Sequence, residues 1–520
     1  MKHDFPFKNK PLYIWYGLCF KFGYLTFQSA STQYLPGIEL REKTVKSRAL
    51  RLILLSLGLF QLALNTGNVY AAPNFVYIVA DDMNLADLRY MPNVNALLTA
   101  RGAKYANAYT VDGLCCPSRV STLTGQYAHN HGVYTNQAPD GAFDKFLLVA
   151  GENQTLSTWL SAAGYRTALI GKYLNGYPNP DNLAYIPPGW SEWYAFMQGG
   201  QFFNYKMNQN GNLAKYGETE QDYSTDVVSG LTTDFIARSV NDGLPFFVYV
   251  APQAPHSPAT PAPRHANKFT GITSAPRSPS FNEADVSDKP LWVQDLPQLT
   301  NPTISDLDVL YKHRLQSLLA VDEMVASIVA ELINLNVMNN TYVIFTSDQG
   351  LLLGEHRLAN AKGAAYEEVI HIPYVVRGPG VIPGSTPTRY VLNIDTAPTL
   401  LTLAGLMVPD SIDGIAIDYG MPGEARPVPL RGEDPNRFLM EQVVDLDLAS
   451  FTMPAFNALR TSRYTYVEHG SLDKELYDNL ADGYQLKSKH DAASSELLQQ
   501  LSTQLNILTT CEGISCHTGR

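Results

Sequence analysis

Asn74-Phe75-Val76-Tyr77-Ile78-Val79-Ala80-Asp81-Asp82 is the stretch on which the reading of the fold turns. Its apolar part has no polar face, as suits a strand buried in a sheet, and it stops at two adjacent carboxylates. The pattern returns twice downstream. Phe246 to Ala251 runs into Pro252 to His256, and Thr341 to Thr346 runs into Ser347-Asp348-Gln349-Gly350. Helical segments lie between. Met91 to Ala100 has Pro92 in its first turn; Thr155 to Ala163 ends at Gly164, ahead of a strand at Arg166 to Ile170; Asp306 to Leu335 carries Leu, Val and Ile at helical spacing. This alternation predicts an α/β fold, a mostly parallel sheet covered by helices on both faces. Such sheets place their sites at the C-terminal strand ends, where three of these strands carry polar clusters.

After about residue 408 the pattern changes to short runs, Phe438 to Gln442, Phe456 to Arg460 and Tyr464 to Glu468, followed by a helix from about Ala492 to Ile507. These predict a smaller C-terminal α+β domain on an antiparallel sheet, with boundaries at 72–408 and 409–520. Residues 252–303, rich in Pro, Ser and Asp, are expected to form a long surface excursion near the site. A chain of 520 residues is long enough for both domains, and 45% hydrophobic with 17% charged residues describes a globular protein with a sizeable core. The net charge of −11 argues against nucleic acid as a partner. It permits a small anionic substrate in a local basic pocket.

Upstream, Lys46, Arg48 and Arg51 precede an apolar run from Leu52 to Leu64, followed by Val69-Tyr70-Ala71. That is the order of a signal peptide, read over 45–71 with cleavage after Ala71. An uncleaved membrane anchor is the competing reading, and the shortness of the run opposes it. Residues 1–44 are a doubtful leader, and translation starting near Val45 would explain them. The expected destination is extracytoplasmic, secreted or periplasmic, with no stable membrane association. In an oxidising compartment Cys511 and Cys516, flanking a short loop, are expected to form a disulfide. Cys19 lies in the doubtful leader, which leaves Cys115 and Cys116 adjacent and without an obvious partner.

Two consecutive aspartates repel unless something positive neutralises them, and a hard divalent cation bound by oxygen ligands is the usual solution. Alone, such a pair is more often a solvated turn; Asp348-Gln349 at a second strand end could complete an all-oxygen site. Cys115-Cys116-Pro117-Ser118-Arg119, followed by Leu123-Thr124-Gly125, places Cys115 at a helix N-terminus, where the dipole favours negative charge. A buried cysteine pair and an ordinary catalytic thiol, which needs a nearby His, remain open from these residues alone. His371 reads as structural; His129, His131 and His356 read as either structural or pocket-lining.

Cys-x-Pro-Ser-Arg followed by Thr-Gly resembles the signature of the type I sulfatases, members of the alkaline phosphatase superfamily. Further blocks resemble the family in order: Asp81-Asp82, Gly171-Lys172-Tyr173, Pro255-His256, Ser347-Asp348-Gln349-Gly350, Gly354-Glu355-His356, Lys362-Gly363, Tyr366-Glu367-Glu368, Arg377-Gly378-Pro379-Gly380 and Glu475-Leu476-Tyr477-Asp478. Gly171 to Gly176, His129 to His131 and Pro255 to Pro258 are most similar to the glucosamine-6-sulfatase branch. The resemblance implies an alkaline-phosphatase-like fold and hydrolysis of sulfate monoesters. It implies that Cys115 is oxidised to Cα-formylglycine by a formylglycine-generating enzyme, and that one Ca²⁺ is held by Asp81, Asp82, Asp348, Gln349 and residue 115. Arg119 would hold the formylglycine hydrate, with Lys172, His256 and Lys362 facing the sulfate. One hydroxyl of the hydrate, deprotonated with help from Asp348, would attack sulfur while His256 or Lys362 protonates the leaving oxygen; the second hydroxyl would then eject sulfate. Two positions depart from the family pattern: Gln349, where Asn or His is usual, and Leu174, where many members have His, with Asn175 next to it as a candidate donor. Competing readings are a phosphate or phosphonate monoester hydrolase and a non-catalytic carbohydrate-binding homologue. The substrate implied is a sulfated small molecule or glycan, with selectivity expected in loops 177–225 and 252–303.

Overall fold

The computed structural model describes residues 72–149, 151–198, 200–420, 438–442 and 453–518. The signal-peptide and leader readings fall outside these residues.

A nine-stranded sheet organises the chain. Its strands are β1 (Asn74–Ala80), β2 (Ala103–Lys104), β3 (Arg166–Gly171), β4 (Glu192–Phe196), β5 (Lys206–Gln209), β6 (Asn212–Lys215), β7 (Phe246–Ala251), β8 (Thr341–Ser347) and β9 (Tyr374–Arg377). They lie in the order β2-β9-β8-β1-β7-β3-β4-β5-β6. The central run β8-β1-β7-β3-β4 is parallel. Both edges are antiparallel, so the sheet is mixed, with the predicted parallel part at its centre. The β5–β6 hairpin turns through Asn210 (φ 52°) and Gly211 (φ 87°), a connection that only antiparallel neighbours can use.

The unbroken apolar strands are explained by cover on both faces. Phe75, Tyr77 and Val79 of β1 pack with α1 (Cys115–Thr124), α2 (Leu156–Ala162) and α5 (Thr396–Leu403). Val76, Ile78 and Ala80 pack on the other face with α3 (Ser224–Asn241) and α4 (Asn301–Asn334). Successive side chains of a strand point to opposite faces, so a sheet buried twice needs apolar residues at every position. Helix α4 begins five residues earlier than its apolar spacing predicts, because Thr300 caps it, accepting from the Thr303 amide, with Pro302 in its first turn. The helix predicted over Met91 to Ala100 is present over residues 92–99, α-helical at Pro92–Val94 and widening to π-helical at Asn95–Thr99.

In the C-terminal region β10 (Phe438–Gln442), β11 (Phe456–Arg460), β12 (Tyr464–His469) and β13 (Lys474–Asp478) form an antiparallel sheet in that order. Leu501, Leu505 and Leu508 of α6 (Ser495–Leu508) pack with it. The Cys511–Cys516 disulfide is formed. None of the described helices is long and apolar enough to cross a membrane.

Candidate active site

The C-terminal ends of β1, β7 and β8 open side by side, and the N-terminus of α1 points at them. Leu114 is the extended residue before α1, Cys115 begins it, Pro117 occupies its first turn, and Gly125 (φ 72°) ends it. Asp81 and Asp82 follow β1 directly, and both are buried. Asp82 sits in the left-handed region (φ 67°), a conformation that Asp tolerates better than most residues and that here turns consecutive carboxylates toward one point. Asp348 and Gln349 follow β8 and are also buried.

Around the Cys115 thiol these groups converge. Its Sγ lies 3.6 Å from Asp81 Oδ1, 3.9 Å from Asp82 Oδ1, 3.2 Å from Gln349 Nε2 and 3.0 Å from Lys362 Nζ. Lys362 also donates to Asp82 Oδ1 at 2.8 Å, and Lys172 to Asp81 Oδ2 at 2.5 Å. Arg119, one turn along α1, grips Asp348 Oδ2 through Nε (2.9 Å) and Nη2 (2.7 Å) and reaches Asp81 Oδ1 at 3.7 Å. His256 Nε2 is 3.6 Å from Asp82 Oδ2. All nine residues singled out in the sequence, Asp81, Asp82, Cys115, Arg119, Lys172, His256, Asp348, Gln349 and Lys362, therefore meet in one place. Lys172 is carried there by Gly171: a Cβ at that position would lie 2.0 Å from Ala251 O, so only glycine lets β3 run this close to β7.

Three carboxylates face three fixed cations. Burial would raise the Asp81 carboxyl, but Lys172, His256, Arg119 and Lys362 together hold it well below the usual carboxylate range. Asp82 is lowered against burial in the same way, chiefly by Lys362 and His256. For Asp348 burial wins over Arg119 and pushes the carboxyl up to about 6. Burial likewise pushes the Cys115 thiol up to about 11, in spite of Lys172 and Lys362. A protonated thiol ringed by lysines and carboxylates is a poor nucleophile, which removes support from the ordinary catalytic-thiol reading.

The carboxylate oxygens of this cluster, though not the thiol and imidazole beside them, suit a hard cation. Ligand atoms of Asp81, Asp82, Cys115 and His256 all lie within 4.8 Å of one another. Gln349 supplies an independent sign. Its Nε2 donates to Asp82 Oδ1, while its Oε1 is buried without a partner among the described residues. Rotating the amide would turn that oxygen toward the carboxylates, an arrangement that makes sense when a cation lies between them.

The other histidines are structural. His371 Nε2 bonds Ala106 O (2.9 Å) and its ring stacks on Tyr109. His129 joins Glu441 Oε2 (2.6 Å) to Cys511 O (2.7 Å). His131 is buried against Ser121 Oγ (2.9 Å), and His356 bonds Glu283 Oε2 (2.8 Å) while stacking on Tyr366. Leu174 is buried in the apolar core with Tyr173, Tyr177 and Trp193, and Asn175 accepts from the Phe143 amide through its backbone carbonyl (2.7 Å). Sequence reasoning missed the groups behind the site: Ser118, whose hydroxyl donates to Asp348 O (2.6 Å), Asn136, whose Oδ1 accepts from the Cys116 amide (2.9 Å), Asn84, and Arg314. For Arg314 a signal existed, since helical spacing puts it on the buried stripe of α4 with Tyr311, Leu318 and Val321.

Residues 73–406 match the sulfatase family model. The chain belongs to the sulfatase family. Residues 354–510 of this sulfatase also match the C-terminal model of N-sulphoglucosamine sulphohydrolase. N-acetylglucosamine-6-sulfatase of Capra hircus is 34% identical over 481 residues, covering 86% of this chain and 85% of the relative. Among solved structures, a protein in complex with its substrate D-glucosamine-2-N,6-O-disulfate has a TM-score of 0.69 at 21% identity, covering 84% of this chain and 97% of that one. The phosphonate monoester hydrolase of Agrobacterium radiobacter has a TM-score of 0.63 at 21% identity, with 83% and 96% covered. At that identity the structural likenesses establish the fold alone. The sulfatase is accordingly an enzyme that hydrolyses sulfate esters on an alkaline-phosphatase-like scaffold.

Proposed function

We propose that this sulfatase works through a Cα-formylglycine hydrate at position 115 and one Ca²⁺ held by Asp81, Asp82, Asp348, Gln349 and residue 115. The observation that carries the reading is the meeting of three carboxylates, three fixed cations and residue 115 at the head of one helix. When bound, the calcium ion polarises the ester and lowers the cost of gathering negative charge. The remaining work falls to side chains. Lys172 and Lys362 offer ammonium groups to the sulfate oxygens, and their positions are set beforehand by Asp81 and Asp82. Asp348 takes a proton from the hydroxyl of residue 115 and is kept in place by the Arg119 fork. His256, whose Nδ1 lies 2.7 Å from Ser257 O, keeps Nε2 turned into the site. Either it or Lys362 donates a proton to the departing oxygen.

Cys115 is only 1% exposed, so a formylglycine-generating enzyme would have to meet this segment before the chain folds. The name of the goat relative supports a sulfated glycan as the substrate class. Export by way of residues 45–71, and a division of the mature chain near 408/409, complete the proposal.

Mass spectrometry of the peptide containing Cys115 tests it directly. Loss of the thiol sulfur with gain of an aldehyde oxygen is expected in active enzyme; unmodified cysteine in fully active enzyme would overturn the mechanism. Rates on an aryl sulfate and the matching aryl phosphate should favour sulfate, and a large preference for phosphate would favour the phosphomonoester reading.

A further inference from the structure

Arg314 is fully buried on α4, on the side of the strand ends away from the thiol. Burying a guanidinium is costly unless its donors are used, and here both terminal nitrogens are used on the loops that carry the site, while Nε has no partner among the described residues. Nη2 donates to Asp82 O (2.6 Å) and to Asn84 Oδ1 (2.9 Å), and Nη1 to Pro255 O (3.3 Å), the carbonyl just before His256. Asp87 Oδ2, 3.5 Å away, balances the charge. Asn84 extends the connection: its Nδ2 donates to Leu351 O (2.8 Å) and Glu368 O (3.1 Å). One planar fork thus touches the loop after β1 and the loop after β7, and through one amide the loop after β8.

The bond to Asp82 O has a particular consequence. Asp82 is in the left-handed region, a conformation a non-glycine residue holds only when its surroundings determine it. Its carbonyl is pinned from behind by Arg314, and its amide donates to Asp348 Oδ1 (3.0 Å) in front. With both ends of the residue fixed, its Cα–Cβ bond keeps one direction, and Lys362 and Gln349 hold the carboxylate in the site. A lysine could not do this, since one ammonium cannot reproduce the divergent fork.

We propose that Arg314 is a positioning residue for the cation site, setting the Asp82 turn and, with Asn84, coupling it to the Gln349 loop. The inference rests on the calcium reading above. Outer-shell partners of this kind typically change metal affinity about 10–100-fold when removed, whereas a purely structural arginine would change stability alone.

The test is a calcium titration of chelator-stripped full-length protein, followed by calorimetry and by the rise in melting temperature, so that no turnover is needed. Arg314→Lys and Arg314→Met should each weaken calcium binding about 10–100-fold. Asn84→Ala, which cuts the link to the Gln349 loop but leaves the guanidinium in place, should weaken it by less. Val325→Ala, about three turns further along the same buried face, should lower the melting temperature and leave calcium affinity as it is. Should the methionine variant fail to fold, the lysine variant, which keeps the buried charge, carries the test. Calcium affinity in Arg314→Lys within about twofold of the parent would overturn the positioning role. A parent protein with no calcium response would instead overturn the calcium reading, and the positioning role with it.

Discussion

Arg119→Met should leave Asp348 buried without its cation, and the cost can be worked from the geometry. At 2.7 Å and an effective dielectric of about 20, the Coulomb attraction is about 6 kcal/mol before desolvation. Breaking one side of a buried pair typically costs about 3–5 kcal/mol, because the remaining charge is stranded. At about 1 °C per kcal/mol for a chain of this size, the melting temperature should fall by about 3–5 °C at pH 8. The assay is thermal unfolding in EGTA, so that a bound cation cannot stand in for the guanidinium. The sign with pH follows from Asp348. Burial already pushes its carboxyl up to about 6, and losing Arg119 raises it further. A carboxyl whose folded pKa lies above its unfolded value destabilises fully above the folded pKa and ceases to do so below the unfolded one, about 3.9. The deficit of Arg119→Met should therefore be smaller at pH 5 than at pH 8. Arg119→Met combined with Asp348→Asn should cost less than the sum of the two single changes, with a coupling of about 2 kcal/mol. A single variant melting within about 2 °C of the parent at pH 8, or strict additivity in the double variant, would refute the stranded-charge argument.

Chelation of calcium should lower the melting temperature, and calcium at about a hundredfold excess over its Kd should return about 2.7 kcal/mol; magnesium should substitute poorly, because it tolerates irregular ligand sets less well. Melting curves with EGTA, calcium and magnesium decide this. His131 accepts from the Val133 amide at Nδ1 (3.1 Å) and lies against Ser121 Oγ at Nε2 (2.9 Å), and burial, with His129 adding to it, pushes its pKa down to about 3. Its contribution is fully present above about 6.5 and falls by about 1.4 kcal/mol per pH unit below that as the unfolded chain takes up the proton. His131→Gln should flatten the acid limb of the stability profile between pH 6.5 and 4, and an unchanged slope would show the histidine to be uninvolved. Replacing Cys511 and Cys516 by serine opens a loop with a sequence separation of 5 and should cost about 2 kcal/mol by loop entropy. Denaturant titration of the double variant checks that figure.

Much of the layout was legible because it is written in local patterns. Apolar runs at β1, β7 and β8 with no polar face could only be strands covered twice, and residue types at their ends named the site. Where local signals were weak the reading failed. Strands β4 to β6 are short, and β6 is largely exposed, so the segment read as loop. The helix expected over Met91 to Ala100 widens to π-helical at Asn95–Thr99, and its first turn is held by Asp322 of α4, which accepts from the amides of Asn93 and Val94. No residue in 91–100 announces that partner.

The chemical character of the site belonged to the sequence: which carboxylates, cations and cysteine were available, each at the end of a strand or the head of a helix, where unsatisfied backbone and exposed polar groups gather. Who faces whom was decided by the fold alone. Gln349 comes within 3.2 Å of Cys115 across 234 positions, and Lys362 within 2.8 Å of Asp82 across 280. The supports, Arg314 behind Asp82 and Ser118 beneath Asp348, act by donating to backbone carbonyls. Every residue offers a carbonyl, so such partners leave no mark in side-chain identity, and only the tertiary packing of α1 and α4 against the sheet reveals which ones they hold.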